Sequence, residues 1–336
     1  MDSQSVPWVD KYRPNKIKNI VHQTELMKTL SNILKTGEMP HLLFHGPPGT
    51  GKTTTILALA HELFGQKKMK ERILELNASD DRGINVVRNE IITFAKMVIG
   101  NPDPEYKSPP FKILILDEAD AMTPDAQSAL RKVMEETSNV TRFCLICNYV
   151  DKIIEPIISR CMQYRFIPID NKNMTKRLKF ISHIENINIS DDIYELITDV
   201  VEGDLRKGIM LLQNIKYFTI NNSKVDVNDI YDLVGHASNE NIRLLVNNCI
   251  KKNISGIVNL GEEFYSYGYP IYIICSQIGK IIIENDYIND GIKSNILCKI
   301  SKVQCLLNDR ANEHIQFINL LVYIHDQLKN CDEHIF

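Results

Sequence analysis

Several common signals of protein class are missing from this 336-residue sequence. No apolar run follows Met1–Ser5 to indicate a secretory signal peptide. No stretch is long and apolar enough to predict a transmembrane helix. The formal net charge is −3, so there is no overall basic field, and any nucleic-acid binding must use a local patch. We therefore expect an intracellular protein that does not contact a membrane.

Cysteines are present, but they lack the pairing typical of a disulfide scaffold or a zinc site. The eight cysteines are scattered along the chain. Cys144 and Cys147 form a C-x-x-C pair within a predicted strand, where positions three apart point to opposite faces. No second cysteine or histidine pair stands at zinc spacing. The sequence therefore predicts reduced thiols in the core.

The most informative segment is His45–Thr53, which matches the P-loop pattern G-x-x-x-x-G-K-[ST]. An apolar run that predicts a buried strand, Leu42–Phe44, precedes it, and apolar residues at helical spacing follow it. The glycines let backbone N–H groups curl around phosphate, and the helix N-terminus adds the positive end of its dipole. Lys52 can reach the terminal phosphates of a nucleotide, and Thr53 can bind Mg²⁺. Motif and context together favour nucleotide binding over a chance glycine-rich turn.

A second motif ends in two carboxylates. Phe111–Asp120 contains four consecutive apolar residues followed by Asp117 and Glu118. The run predicts a strand buried on both faces of a parallel sheet, whose carboxyl end lies beside the P-loop. Asp117 can hold Mg²⁺ through water, and Glu118 can polarise an attacking water. The two motifs, in this order, predict a site that hydrolyses a nucleotide.

Three polar residues outside the motifs are further candidates, and each has an ordinary alternative. Asn148 ends the predicted strand Thr141–Cys147, where it either orients water or stands in a simple turn. Arg160 has no acidic partner nearby in sequence, so it is either an arginine finger for a neighbouring chain or a surface arginine. Arg206 stands in the first turn of a predicted helix, where the dipole disfavours a cation, so it indicates an anionic ligand or a surface ion pair.

The N-terminal arm, Val6–Pro14, contains the only tryptophan together with prolines and basic residues. Such a segment is typical of one pinned onto a nucleotide base or a neighbouring chain, and a surface anchor is the alternative. Further along, strand signals alternate with helical patterns to about residue 167 and then stop. Residues 171–218 predict three helices, and residues 237–336 predict helices that need partners. We therefore expect three domains, at 1–167, 168–236 and 237–336.

These segments together resemble a family, the small subunits of replication factor C, the eukaryotic sliding-clamp loader and a AAA+ ATPase. The resemblance covers residues 6 to about 215, whereas the last hundred match in length and helical character only. The matching segments are Pro7–Pro14, Gly46–Thr53, Glu75–Ile84, Leu116–Asp120, Ile154–Cys161 and Glu202–Arg206. The resemblance implies an α/β P-loop AAA+ fold, with a RecA-like ATPase domain whose parallel sheet has helices on both faces. A helical lid domain and an all-α collar domain would follow.

The resemblance also implies residue roles. Val9 and Arg13 would flank the adenine nucleotide, Asn148 would be sensor 1, and Arg206 would be sensor 2. Arg160 would complete the ATP site of the next subunit, and Glu118 and Lys52 would act in catalysis. The full set implied for ATP is Val9, Arg13, Gly46, Pro47, Pro48, Gly49, Thr50, Gly51, Lys52, Thr53, Thr54, Asn148 and Arg206, with Thr53 and Asp117 for Mg²⁺.

The implied partners are other replication factor C subunits in a heteropentamer, a sliding clamp of the proliferating cell nuclear antigen type, and primer–template DNA in the nucleus. The residues implied for DNA are Arg82, Ile84, Arg88 and Thr123, and the region Phe94–Ile99 would face the clamp. One departure from the family is His22, where relatives usually have glycine.

Two other functions stay open on the sequence. A scaffold subunit would bind ATP but hydrolyse little, and the intact Lys52, Thr53, Asp117 and Glu118 favour turnover instead. A AAA+ helicase or remodelling motor would thread its substrate with an aromatic-apolar-glycine loop, and Ser79–Gly83 has no aromatic residue.

Overall fold

The computed structural model describes residues 6–20, 24–79, 83–97, 109–221 and 227–329. The chain divides into two compact units, Met1–Lys216 and Tyr217–Phe336. The three-domain division expected from the sequence stays a prediction.

A parallel five-stranded sheet organises the first unit, with the strand order β2-β3-β4-β1-β5. The three strands β3, β4 and β1 in the middle are made almost entirely of buried apolar residues, as a sheet covered on both faces requires. The strands are β1 (Leu42–His45), β2 (Ile73–Asn77), β3 (Lys112–Asp117), β4 (Thr141–Cys147) and β5 (Met162–Arg165).

Helices cover both faces of this sheet, so the predicted architecture is confirmed. One apolar cluster joins alternate strand residues to α2 and α3, and the other joins the remaining strand residues to α4 and α5. Cys144 belongs to the first cluster and Cys147 to the second, so the pair points to opposite faces, as predicted. The helices are α1 (Trp8–Lys11), α2 (Thr24–Thr36), α3 (Lys52–Arg72), α4 (Gly83–Lys96), α5 (Pro124–Thr137) and α6 (Glu155–Ile158).

Three further helices, which we call the lid helices, follow the sheet as predicted. They are α7 (Asn171–Glu185), α8 (Asp191–Val201) and α9 (Leu205–Asn221). Each buries an apolar stripe, with Leu178, Ile197 and Leu212 fully inaccessible to solvent. Gly208 of α9 faces α7 and α8, because a Cβ there would be in ordinary van der Waals contact with Leu178 and Val201.

The second unit is helical throughout its described elements. Its core joins α11 to α15 in one apolar cluster that includes Ile274, Phe317 and Leu321. Among the described residues, no helix is long and apolar enough to cross a membrane. The helices are α10 (Val227–Val234), α11 (Asn239–Lys251), α12 (Ile254–Ser266), α13 (Ile271–Glu284), α14 (Asp290–Asn308) and α15 (Glu313–Leu328).

Candidate functional site

A cavity of about 200 Å³ lies at the carboxyl ends of β1, β3 and β4, where parallel α/β sheets bind ligands. Residues from the N-terminal arm, the P-loop, the strand ends and the lid helices line it. They are Val9, Tyr12, Arg13, Pro14, Asn19, Ile20, Pro48, Gly49, Thr50, Gly51, Lys52, Thr53, Thr54, Asp117, Glu118, Asn148, Ile169, Arg177, Leu205, Arg206 and Ile209.

Two glycines of the P-loop occupy backbone positions that a side chain could not share. Gly46 has φ +141°, and a Cβ there would lie 2.2 Å from the carbonyl oxygen of Phe166. Gly49 has φ +70°, and a Cβ there would lie 1.7 Å from Oδ1 of Asp204. The loop therefore needs glycine for close approach as well as for its turn.

Lys52 is almost fully buried, at 7% exposure, and its hydrogen-bond partners within the described ranges are all neutral. Its ammonium donates to the carbonyl oxygens of Gly46 at 2.6 Å and Pro47 at 2.8 Å, and to Oδ1 of Asn148 at 2.9 Å. Burial lowers the pKa of Lys52, and the nearby Asp117 partly offsets that effect. A buried cation without an anionic hydrogen-bond partner favours an anionic ligand at this point.

Thr53 and Asp117 bring two hard oxygen ligands together. The Thr53 hydroxyl donates to Oδ2 of Asp117 at 2.6 Å. Oxygen ligands of this kind fit Mg²⁺, which keeps several waters and takes only one or two protein ligands. No group of three histidine, cysteine, aspartate or glutamate side chains that would form a fuller metal cage occurs within the described ranges.

Glu118 lies beside Asp117 with an uncommon backbone conformation for a residue other than glycine. Its φ is +54°, and its N–H donates to Oδ1 of Asp117 at 2.9 Å. The side chain is exposed and borders the cavity. Backbone strain of this kind occurs at functional sites, where surrounding structure holds a residue in place. Glu118 therefore offers a solvated carboxylate next to the candidate metal ligand.

The loop that carries Asn148 is held by a carboxylate that sequence reasoning did not single out. Oδ2 of Asp120 accepts hydrogen bonds from the N–H groups of Asn148 at 3.3 Å and Tyr149 at 3.2 Å. Asp120 stands in the same motif as Asp117 and Glu118. That position was the one sequence feature that could have identified it as a residue of the site. Its role is to fix the loop that brings the Asn148 amide to Lys52.

The other end of the cavity joins predicted and unpredicted residues. Val9 and Arg13 of the N-terminal arm line it, and the contact with the adenine nucleotide that the family resemblance implies for them stays a prediction. Arg206 also lines the cavity, on the lid side. Arg177 was missed, and it donates through Nη2 to the carbonyl oxygen of Tyr12 at 2.7 Å. Burial lowers the pKa of Arg177. The residues that sequence reasoning missed at this end are Tyr12, Pro14, Asn19, Ile20, Ile169, Arg177, Leu205 and Ile209.

Gly46 and Pro47 do not line the cavity, although they belong to the predicted ATP set. They contribute instead through their carbonyl oxygens, which hold Lys52. Thr50 lines the cavity, but its hydroxyl donates inward to the carbonyl of Pro47 at 2.9 Å. Thr54 lies in the first turn of α3 and borders the cavity.

Arg160 lies outside its own chain's cavity and on the surface. Its Nη2 lies 2.5 Å from Oε1 of Glu135 on α5, and its Nη1 donates to the carbonyl oxygen of Pro156 at 2.7 Å. Glu135 precedes Arg160 by 25 residues, so the sequence did not indicate this acidic partner. The fold supplies that partner.

The residues implied for DNA lie partly outside the described set. Thr123 is exposed and caps α5, accepting a hydrogen bond from the N–H of Ala126 at 3.3 Å. Ile84 and Arg88 stand on α4, whose backbone is described there. Arg82 and His22 lie outside the described residues.

Comparison with known families gives two matches that follow the two regions of the chain. Residues 42–169 match the model of the ATPase family associated with various cellular activities (AAA). Residues 237–323 match the model of the replication factor C C-terminal domain.

Full-length relatives agree with these matches. The chain is 42% identical to replication factor C subunit 2 of Schizosaccharomyces pombe, across 95% of this chain and 93% of the relative. It is 42% identical to human replication factor C subunit 4, across 98% of this chain and 91% of the relative. It is 39% identical to the replication factor C small subunit of Sulfurisphaera tokodaii, across 95% of this chain and 94% of the relative.

A solved structure extends the comparison to the fold alone. RuvB of Thermotoga maritima, described as a Holliday junction branch migration motor, matches with a TM-score of 0.53 at 16% identity. The match covers 80% of this chain and 91% of that one.

Proposed function

The chain belongs to the family of replication factor C small subunits, which are AAA ATPases, and we propose that it acts as an ATPase subunit of a sliding-clamp loader. ATP binding and hydrolysis in the cavity would drive the opening of a ring-shaped clamp and its loading onto primer–template DNA in replication and repair. The observation that carries this proposal is the convergence of Lys52, Thr53, Asp117, Glu118 and Asn148 on one cavity.

Phosphate binding follows from the surroundings of Lys52. The ammonium holds neutral carbonyl and amide oxygens in this structure, and phosphate oxygens would compete with them as stronger, charged acceptors. The N–H groups at the start of α3 would hold the same phosphates. Arg206, in the first turn of α9, would bind them from the lid side.

Mg²⁺ would be held by the Thr53 hydroxyl and, through water, by Asp117. The Thr53 hydroxyl oxygen and Oδ2 of Asp117 are 2.6 Å apart. When bound, the metal neutralises charge on the phosphates. Glu118 would accept a hydrogen bond from the water whose oxygen attacks the γ-phosphorus, and Asn148 would keep that water in line. Asp120 supports this step by holding the backbone of Asn148.

Arg160 would complete the site of a neighbouring subunit. A surface arginine that does not line its own chain's cavity suits this role, and its guanidinium can bind phosphate oxygens in a bidentate manner. The partners would be the other replication factor C subunits of a heteropentamer.

DNA binding would use the N-terminal ends of α4 and α5. Both helices follow strands of the same parallel sheet, so both begin at the edge that carries the cavity. Helix N-termini together with Arg82, Ile84, Arg88 and Thr123 would track phosphates without reading bases. The clamp would bind near Phe94–Ile99, and we assign the protein to the nucleus, where a eukaryotic loader meets its DNA.

The decisive experiment is ATP turnover by the purified complex, with and without the clamp and primed DNA. Wild type would be compared with Glu118→Gln and Arg160→Ala in this subunit, and Lys67→Ala, an exposed lysine of α3, serves as the surface control. We expect stimulation by clamp and DNA to fall in Glu118→Gln and Arg160→Ala and to persist in Lys67→Ala.

If Glu118→Gln leaves turnover unchanged while Arg160→Ala lowers it, the chain's own site is silent. The scaffold alternative would then replace the proposal of an active subunit. If neither substitution changes turnover, both proposals fail.

A further inference from the structure

A buried carboxylate joins the N-terminal arm to the lid helices. Glu185 is the last residue of α7, and its side chain is only 8% exposed. Its oxygens accept hydrogen bonds from the Lys11 ammonium at 2.6 Å, the Lys216 ammonium at 2.5 Å and the Tyr12 hydroxyl. We call these four residues the arm latch. An anion is disfavoured at a helix C-terminus, so these donors must compensate for its position.

The charge state of Glu185 agrees with this geometry. Burial alone would raise its pKa, but the hydrogen bonds from Lys11, Lys216 and Tyr12 outweigh burial and lower the pKa to about 2. The carboxylate is therefore ionised throughout the physiological range, and both lysines are paired with it.

Two more contacts fix the arm onto the same helices. The N–H of Trp8 donates to Oε1 of Gln213 on α9 at 3.2 Å, and the Lys216 ammonium lies 5.2 Å from the centre of the Trp8 ring. Arg177 of α7 donates to the carbonyl of Tyr12 at 2.7 Å. The segment from Trp8 to Tyr12 is thus held by both α7 and α9.

The chain that follows is held by the sheet instead. The N–H of Ile17 donates to Oε1 of Glu62 on α3 at 2.6 Å, and the Ile17 side chain is buried in the cluster beneath α3. Residues 13–16 therefore cross from the lid helices to the sheet. Arg13 and Pro14, within this crossing, line the cavity.

We propose that Glu185 is a positioning residue for nucleotide binding, which acts by fixing the arm so that Val9, Tyr12 and Arg13 form one wall of the cavity. The inference rests on the proposed ATP site. Since the P-loop would take the phosphates, the wall built by the arm would be left to contact the base and ribose. Glu185 is not among the residues that line the cavity, and it acts through Lys11, Tyr12 and Lys216.

This role separates two ligands that share the phosphate end. ATP would use both ends of the cavity, whereas inorganic tripolyphosphate would use only the P-loop end. A substitution that releases the arm should weaken ATP and spare tripolyphosphate. A substitution that merely destabilises the fold should weaken both.

The test measures the Kd of each ligand, with Mg²⁺ present, for the full chain by calorimetry. Glu185→Gln keeps the size of the side chain but removes its charge, and we expect ATP to bind about tenfold more weakly while tripolyphosphate changes less than twofold. Glu195→Gln, an exposed carboxylate on α8, is the matched control and should change neither. Tyr12→Phe removes one hydroxyl from the latch and should weaken ATP about threefold with the same selectivity.

The only tryptophan reports the arm directly. Trp8 is 6% exposed, so a collisional quencher should reach it poorly in wild type and more readily in Glu185→Gln. Equal weakening of both ligands, unchanged affinity for ATP, or unchanged quenching would each overturn the proposal. If Glu185→Gln does not fold, Lys216→Met decides by the same criteria, because Lys216 bonds to Glu185 and is not among the residues that line the cavity.

A different set of binding results would contradict the proposed ATP site itself. Lys52→Ala should weaken both ligands about a thousandfold, because it removes the buried ammonium beside the P-loop. If Lys52→Ala binds ATP as tightly as wild type does, the proposed site is wrong. If Lys52→Ala loses ATP while Glu185→Gln keeps it, the site is right and the positioning role of Glu185 is wrong.

Discussion

The two ends of the cavity are built by different means. The phosphate end takes its shape mainly from backbone: the P-loop follows β1 directly, its carbonyls hold Lys52, and Gly46 lies against the Phe166 carbonyl. The nucleoside end takes its shape from long side chains that join the arm to α7 and α9. Backbone contacts within a packed sheet permit little adjustment, whereas ion pairs between long side chains can re-form in more than one arrangement. The first end is thus the rigid one, and the second is the adjustable one.

The largest effect should come from removing the cation of the phosphate end. Lys52→Ala deletes the buried ammonium beside the P-loop, and we expect the affinity for ATP to fall about a thousandfold, or about 4 kcal/mol. Calorimetry on the full chain measures this loss. Lys67→Ala, on the exposed side of the same helix, should bind as wild type does, and a similar loss in that variant would contradict a specific role for Lys52.

The backbone origin of the phosphate end can be tested with a pair of glycines. A Cβ at Gly46 would lie 2.2 Å from the Phe166 carbonyl, whereas Gly268, with φ +77°, has no atom within 4 Å of its Cβ position. We expect Gly46→Ala to cost about 3 kcal/mol of unfolding free energy in the first unit. Gly268→Ala should cost about 1 kcal/mol of unfolding free energy in the second unit, because only its positive φ disfavours a side chain there.

Amide hydrogen exchange, measured residue by residue in increasing urea, gives the unfolding free energy of each unit separately. Equal costs for the two glycine substitutions would show that contact with Phe166 does not matter. The phosphate end would then owe none of its rigidity to this contact.

The same division explains what could be predicted from the sequence. The strands, the helices on both faces and the phosphate end were predicted because each rests on short segments with a clear pattern, such as Leu42–Phe44 followed by the P-loop. Asp120, Arg177 and Tyr12 were missed because their roles depend on partners that only the fold brings close. Arg177, for example, meets the Tyr12 carbonyl across 165 residues. The ion pair of Arg160 with Glu135 was missed for the same reason, since no local pattern marks it.

A smaller effect is expected at the nucleoside end. Arg177→Met keeps an unbranched stem but removes the guanidinium that lines the cavity and holds Tyr12. We expect ATP to bind about 20-fold more weakly and tripolyphosphate to bind nearly as in wild type, because a lost hydrogen bond from a charged donor costs about 2 kcal/mol. Lys176→Met, on the exposed neighbouring position, controls for the loss of a positive charge from α7. An equal loss for both ligands would place Arg177 at the phosphate end instead.

The smallest expected effect is a loss of stability in acid, which should differ between the two ends of the cavity. His41 precedes β1, and its Nδ1 accepts a hydrogen bond from the N–H of Phe143 at 3.1 Å. Burial, and secondarily the charge of Arg142, lower the pKa of His41 from 6.5 to about 4. The unfolded chain therefore binds more protons than the folded chain between pH 6.5 and pH 4, and stability falls as the pH falls through that window. At pH 5.5 we expect a loss of about 1 kcal/mol in the first unit relative to pH 7.

His41→Asn can still accept the hydrogen bond from Phe143 but does not titrate, so it should lack this part of the acid sensitivity. Glu185 behaves differently, because its pKa of about 2 keeps the carboxylate ionised at pH 5.5. Acid should therefore weaken the strand that leads to the P-loop while the arm latch holds. Urea unfolding at pH 7 and pH 5.5 measures the first effect, and quenching of Trp8 at the same two values measures the second. If Trp8 becomes accessible at pH 5.5 before the sheet loses stability, the two ends are coupled, and the division between a rigid end and an adjustable end does not hold.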